Sequence, residues 1–106
     1  MPLLVLALPV VLHLAVAASS GVPTFDIRPS CHAAAAEETM VSDRMQACVS
    51  SEQDAQDQLV KKWTTFEVAD RSRCVGMMTG FDPSYTELLT CLDMANEVRK
   101  MPAELY

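Results

Sequence analysis

Glycine, aromatic and basic residues are scarce in this chain of 106 residues. It has three glycines, one Trp, two Tyr and three Phe. Because β-sandwiches and barrels use glycine in turns and aromatics in cores, both classes are disfavoured. Eight Lys and Arg against fourteen Asp and Glu give a formal net charge of -6. Such a surface repels phosphate groups, so we expect no nucleic-acid partner and no membrane attachment once a leader is removed.

Closely spaced cysteines and catalytic motifs are also missing. No two of the four cysteines lie nearer than seventeen positions, which argues against zinc ligation and against a C-x-x-C redox motif. The sequence has no glycine-rich phosphate loop, no G-x-S-x-G and no H-E-x-x-H. His32 beside Cys31 is interpreted as a solvated histidine rather than a base. We therefore predict no catalytic residue, no cofactor and no metal site.

Methionine and carboxylate side chains offer two further chemistries, and neither has the expected pattern. Thioethers suit Cu(I), but the close M-x-M or M-x-x-M clusters of copper sites are absent. We therefore predict that most methionines pack in the core. The many carboxylates are predicted to form a solvated acidic face rather than a glycosidase pair.

Charged residues are absent before Asp26. An apolar stretch of fifteen residues, from Leu3 to Ala17, is too short to cross a bilayer and is followed by small residues. This pattern predicts a signal peptide over residues 1–17, cleaved after Ala17 or Ala18, and hence a periplasmic or secreted protein. An uncleaved anchor is the alternative.

The rest of the chain divides into three parts. Residues 18–30 contain Gly21, Pro23 and Pro29 and are predicted to form an extended N-terminal arm. Residues 31–102 are predicted to form an all-α, four-cysteine domain of three to four helices, and residues 103–106 a C-terminal tail.

Apolar residues in steps of three and four predict a long helix after a break near residues 39–42. Its apolar face comprises Met45, Cys48, Val49, Ala55, Leu59, Val60, Trp63 and Phe66. Its opposite face is polar and comprises Glu52, Gln53, Asp54, Gln56, Asp57 and Lys61. Capping-box spacings at Thr64–Glu67 and Ser84–Glu87 predict the starts of two further helices. Pro102 ends the last one.

The cysteine spacing favours one disulfide pairing out of three. Cys31 and Cys48 are seventeen positions apart, and so are Cys74 and Cys91. The midpoints of these two pairs fall near residues 39–40 and 82–83, where we predict chain reversals. The nested pairing, which joins residue 31 to 91 and 48 to 74, is the alternative. Exported chains of this size normally carry disulfides.

Four residues form the most distinctive cluster outside the cysteines. Trp63 and Phe66 precede Arg71 and Arg73 closely, and Trp and Arg dominate interface hot spots. They are candidate partner contacts. The alternative is that both rings fill a helix junction while Asp70 and Arg71 lie at its edge.

Several strings resemble a family of short exported alphaproteobacterial proteins across the whole mature chain. They are Phe25-Asp26, Arg28-Pro29-Ser30-Cys31, Glu52-Gln53, Gln58-Leu59-Val60-Lys61, Ala69-Asp70-Arg71, Pro83-Ser84-Tyr85 and Glu87-Leu88-Leu89-Thr90-Cys91-Leu92. More distantly, the order of cysteines, Trp63 and the final Cys91-Leu92 helix is similar to the LprI-like lysozyme-inhibitor domain. That likeness implies a periplasmic helical fold that binds lysozyme, although no inhibitory loop maps onto this sequence residue by residue.

These features favour an exported helical module that binds or inhibits rather than catalyses. The acidic balance favours a cationic envelope or extracellular protein as the partner. The alternative is an envelope structural or stress protein without a discrete ligand.

The first prediction concerns export. Protein purified from its native host should begin at Ala18 or Ser19, because the small residues after the apolar stretch suit signal peptidase. N-terminal sequencing or intact mass measures this directly. A soluble periplasmic species that retains Met1 would contradict cleavage.

Overall fold

The structure, a computed structural model, describes Leu3 and residues 21–35, 41–80 and 82–105. Within these ranges the chain forms four α-helices and no strand, which confirms the all-α prediction. The helices are α1 (Arg28–Ala35), α2 (Val41–Lys62), α3 (Val68–Met77) and α4 (Tyr85–Lys100). Short 3-10 turns lie at Trp63–Thr65, Met78–Gly80 and Ala103–Leu105.

Two predictions concern residues outside these ranges. The signal peptide over 1–17, apart from Leu3, and its cleavage positions lie outside the described residues. So do residues 36–40, which hold most of the predicted break before α2. None of the helices in the described part of the chain is long and apolar enough to cross a membrane.

Helix α2 carries the main apolar face of the domain and packs against both α1 and α4. Ala55, Leu59 and Trp63 are buried, as the four-residue spacing predicts. Val60 was assigned to the same face but is 51% exposed, because one residue turns a helix by about 100°. Leu88 and Leu92 of α4 complete the centre of the core.

Each disulfide joins two neighbouring helices. Cys31 is bonded to Cys48 with 5.5 Å between α-carbons, and Cys74 to Cys91 with 5.8 Å. The local pairing is therefore confirmed and the nested alternative is wrong. The reversal between α3 and α4 includes the turn Met78–Gly80 and residues 82–84, as predicted.

The two predicted capping boxes have different outcomes. Ser84 is the N-cap of α4, and its Oγ accepts a hydrogen bond of 3.2 Å from the amide of Glu87. The prediction that a helix starts with a capping box at Thr64 is wrong, since α3 begins at Val68. The hydroxyl of Thr65 instead donates to the carbonyl of Lys62 at 2.5 Å. The 3-10 turn prolongs α2 and thereby places Phe66 in the core.

The prediction that Glu52 lies on the solvated face of α2 is wrong, because Glu52 precedes Ala55 and Leu59 by three and seven residues and therefore shares their buried face. The residue is buried, at 4% exposure. Its carboxylate accepts hydrogen bonds of 2.6 Å from the Ser84 hydroxyl and from the amide of Tyr85. A carboxylate beside a helix N-terminus is favoured because it satisfies free amides and faces the positive end of the helix dipole.

The N-terminal arm lies across the core in an irregular conformation from Gly21 to Ile27. It ends before the predicted boundary at residue 30, because α1 already begins at Arg28. Pro29 does not hinder this start, since amides in the first turn of a helix have no intrahelical partner. At the other end, the predicted tail 103–106 begins with a 3-10 turn.

The hydroxyl of Tyr85 holds the arm in place. It donates to the carbonyl of Pro23 at 3.0 Å and accepts from the amide of Phe25 at 2.7 Å. Gln56 Nε2 also donates to it, at 3.3 Å. The Phe25 and Tyr85 rings lie 4.8 Å apart between centroids. The arm therefore forms part of the folded domain.

Gly21 generates the second prediction. Its φ is +73°, and a Cβ here would collide with the indole nitrogen of Trp63. Gly21→Ala should therefore destabilise the protein by about 1–3 kcal/mol. The matched control is Gly76→Ala in α3, where an added Cβ meets nothing within 4 Å. Gly76→Ala should leave the free energy of unfolding unchanged or raise it by up to about 1 kcal/mol. Urea unfolding measures both, and equal effects would contradict this account of the arm.

Candidate functional site

An open groove of about 700 Å³ runs between α3 and α4. Apolar side chains make up most of its wall: Met77, Met78, Cys91, Met94, Ala95 and Val98. We call this the methionine groove. Its polar lining residues include Thr86, Glu87 and Thr90 near the start of α4. At the far end lie Asp70, Arg73 and Arg99.

The groove has a buried floor and exposed edges. Met78 and Ala95 are buried, whereas Met77 is 54%, Met94 64% and Val98 44% exposed. The Met77 thioether lies 4.0 Å from the sulfur of Cys91, so the second disulfide is part of the wall. Contiguous exposed apolar surface of this kind marks interaction sites in soluble proteins. Methionine suits such surfaces because its unbranched side chain adapts to different partners.

A buried carboxylate fixes the far end of the groove. Arg99 donates to Asp70 through Nε at 2.5 Å and through Nη2 at 3.1 Å. Arg73 Nη2 lies 3.2 Å from the same carboxylate. The Asp70 side chain is 4% exposed, whereas those of Arg73 and Arg99 are 59% and 48% exposed. One buried acid thus holds two guanidinium groups at the surface and ties the start of α3 to the end of α4.

These contacts also set the ionisation of Asp70. The hydrogen bonds from Arg99 hold the pKa of its carboxyl below the ordinary value, and the charge of Arg73 acts in the same direction. Burial acts in the opposite direction and is outweighed. The carboxylate is therefore charged at neutral pH.

The structure separates the four residues that the sequence marked as candidate contacts. Trp63 and Phe66 are buried, at 6% and 3% exposure, which agrees with the packing interpretation. Neither ring is open to a partner in this conformation. The guanidinium of Arg71 lies 5.5 Å from the Trp63 ring centroid, as in a cation–π contact. Of the four, Arg73 alone lines the methionine groove.

The prediction that most methionines pack in the core is wrong for Met77, Met94 and Met101, which are exposed. The groove could have been predicted from the pattern of apolar residues in α4. Leu88, Leu92 and Ala95 form its core-facing stripe. A second stripe, displaced around the helix, consists of Cys91, Met94 and Val98. Two neighbouring apolar stripes make α4 more apolar than packing on a single core requires.

The other candidate chemistry lies away from the groove. His32 is exposed on α1, and its neighbour Cys31 is oxidised in a disulfide. Within the described ranges, no group of three or more His, Cys, Asp or Glu side chains is placed to hold a metal ion.

Comparison of the chain with protein-family models, with curated proteins and with solved structures finds no match. The groove must therefore be interpreted from its own geometry.

The third prediction follows from the ionisation of Asp70. Since its pKa is lowered on folding, its contacts stabilise the protein above the ordinary Asp pKa of about 4. That contribution is lost as pH falls through the folded pKa. At pH 7 the free energy of unfolding of the Asp70→Asn variant should therefore be lower than that of the wild type. The difference between the two should narrow below about pH 4.

Urea titrations at pH 7 and pH 3 measure this gap. Asp57→Asn on the exposed face of α2 is the matched control, and it should show a small difference at both pH values. A gap for Asp70→Asn that does not change with pH would contradict the assignment.

Proposed function

We propose that this chain is an exported binding module without catalytic activity, whose partner is a cationic envelope or extracellular protein. The methionine groove is its docking surface. One observation carries the proposal: Met77, Met94 and Val98 form an exposed apolar edge that the core does not use.

The framework around the groove is rigid enough for recognition. The Cys74–Cys91 disulfide joins α3 to α4 at the wall. The Asp70–Arg99 contact joins the same two helices at the far end. A preformed surface loses less conformational entropy on binding than one that must first order itself.

Charge supports a cationic partner. The net charge of -6 steers positively charged proteins toward the surface and raises their association rate. The resemblance to the LprI-like domain points the same way, since it implies lysozyme as a target. Lysozyme is therefore the first defined protein to test.

Location supports the proposal as well. Two disulfides form within the described chain, and disulfides persist in oxidising compartments. The apolar, uncharged N-terminal stretch favours export as the route.

The fourth prediction tests the groove as the docking surface. A photo-crosslinking amino acid at Met94 should capture a discrete basic protein from periplasmic extract of the native host. The same photo-crosslinking group at Val60, which is 51% exposed on α2, should not capture that protein. Capture should weaken between low and physiological salt, because exposed charges are screened over about 8–10 Å. Purified lysozyme serves in parallel as a defined probe, in binding and inhibition assays.

Competition supplies the control. Unlabelled wild-type protein and the unlabelled Val60→Glu variant should both compete for the partner and block the crosslink formed at position 94. The unlabelled Met94→Glu variant should block it poorly. Equal capture from both positions, or none from either, would refute the proposal and favour a structural or stress protein without a discrete ligand.

A further inference from the structure

We infer that Met77 and Met94 form an oxidation site, at which hydrogen peroxide converts both thioethers to sulfoxides and makes the wall of the methionine groove polar while the fold is retained. The further consequence, that the oxidised protein no longer docks its partner, rests on the proposed function. The grounds are the exposure of these side chains, the state of the cysteines and the position of both methionines outside the core.

Exposure separates the groove methionines into two kinds. Met77 is 54% and Met94 64% exposed, whereas Met78, which forms part of the floor, is 8% exposed. A dissolved oxidant must reach the sulfur atom from water, so Met77 and Met94 react before Met78. Met101 is 46% exposed but does not line the groove, and it therefore serves as an internal comparison.

No thiol competes with the thioethers for the oxidant. All four cysteines are paired in the two disulfides. Peroxide ordinarily attacks thiolates first, and where none is present the exposed thioethers are the most readily oxidised sulfur atoms. The Met77 sulfur lies 4.0 Å from Cys91 Sγ, so an oxygen added to it enters the wall of the groove rather than its margin.

The reaction is a two-electron oxygen transfer. A lone pair on the methionine sulfur attacks one oxygen of hydrogen peroxide, so that an S–O bond forms and the O–O bond breaks. The sulfur loses two electrons and the peroxide gains them. The proton on the transferred oxygen passes to the departing hydroxide, which leaves as water. The product is a sulfoxide, which is a polar hydrogen-bond acceptor in place of an apolar sulfur.

The fold does not depend on either thioether. Neither Met77 nor Met94 belongs to the buried core cluster or to the partly buried residues packed against it. The two helices that carry them are joined by the Cys74–Cys91 disulfide, which peroxide leaves in place. Oxidation therefore changes the chemistry of the groove without removing the packing that shapes it.

The exposed edge of the groove loses most of its apolar character. Of its three side chains, Met77, Met94 and Val98, only the valine remains apolar after oxidation. A partner surface that covered the two sulfoxides would bury their oxygen atoms without hydrogen bonds, which is unfavourable. Oxidation should therefore oppose docking at this surface.

Peptide mapping after mild treatment with hydrogen peroxide tests the site without a partner. Met77 and Met94 should each gain one oxygen several-fold faster than Met78, and the circular dichroism spectrum should stay that of the untreated protein. Oxidation of Met78 at the same rate would contradict the inference, because unfolding rather than exposure would then admit the oxidant. Loss of the helical spectrum would contradict it as well.

Two variants test the change in polarity. A double variant with Met77→Leu and Met94→Leu keeps an apolar wall but has no sulfur to oxidise at these positions, and Met101→Leu is the matched control. On a hydrophobic-interaction column, peroxide should make the wild type and Met101→Leu elute clearly earlier and should shift the double variant much less. A shift that depends on Met101 as much as on the groove pair would contradict the inference.

The crosslink formed at position 94 tests the consequence for docking. Peroxide-treated unlabelled wild type should block that crosslink roughly ten-fold less well than untreated wild type, as expected when an apolar contact surface acquires unpaired polar groups. Methionine sulfoxide reductases for both epimers should restore the blocking. The peroxide-treated double leucine variant should still block the crosslink.

The outcomes separate this inference from the proposed function. If treated wild type blocks the crosslink as well as untreated wild type, the inference fails and the proposed function stands. If the untreated protein forms no specific crosslink, the proposed function fails, and the mapping and column experiments decide whether the oxidation site exists.

Discussion

The buried carboxylate of Glu52 is the contact on which the arrangement of the helices depends. It lies in the middle of α2 and binds the N-cap and the first residue of α4, Ser84 and Tyr85. Tyr85 then holds the N-terminal arm through its hydroxyl. Ser30 of α1 donates to the carbonyl of Pro83 at 2.8 Å, just before the same junction. The arm, α1, α2 and α4 therefore meet within a few residues.

This junction matters because the disulfides do not provide the same connection. One joins α1 to α2 and the other α3 to α4, so the two helix pairs have no covalent bond between them apart from the backbone. Their association depends on the packing of Leu59 against Leu88 and Leu92 and on the hydrogen bonds of Glu52. Unpairing a buried carboxylate costs more than losing an exposed contact. The position of α4 is consequently fixed at its N-terminus by Glu52 and along its length by apolar packing.

The sequence predicted the fold class, and it favoured the observed disulfides over the nested alternative, because both predictions follow from local geometry. Residues seventeen positions apart cannot approach within disulfide distance unless the chain reverses between them. Ser84 was also predictable, since its cap involves neighbouring amides. For Glu52, the spacing of three and seven residues to Ala55 and Leu59 indicates the buried face, but it does not show which groups the carboxylate meets there.

The site was harder to predict for a related reason. Trp63 and Arg71 have the composition of a hot spot, but the 3-10 turn after α2 directs the ring into the core. The methionines have the composition of a core, but Met77 and Met94 lie on the open edges of the groove between α3 and α4. Which apolar residues remain exposed depends on how neighbouring helices pack, and single-residue hydrophobicity does not contain that information.

The second disulfide links stability to the proposed activity. Cys91 belongs to the apolar stripe of α4 that lines the groove, and its partner Cys74 is a fully buried residue of α3. The bond therefore both supports the core and holds the opposite wall of the groove in position. Without it, α3 would keep its place mainly through the contact between Asp70 and Arg99 and the packing of a few apolar residues. The α1–α2 disulfide lies outside the groove, so the two bonds contribute unequally to the docking surface although they close loops of the same length.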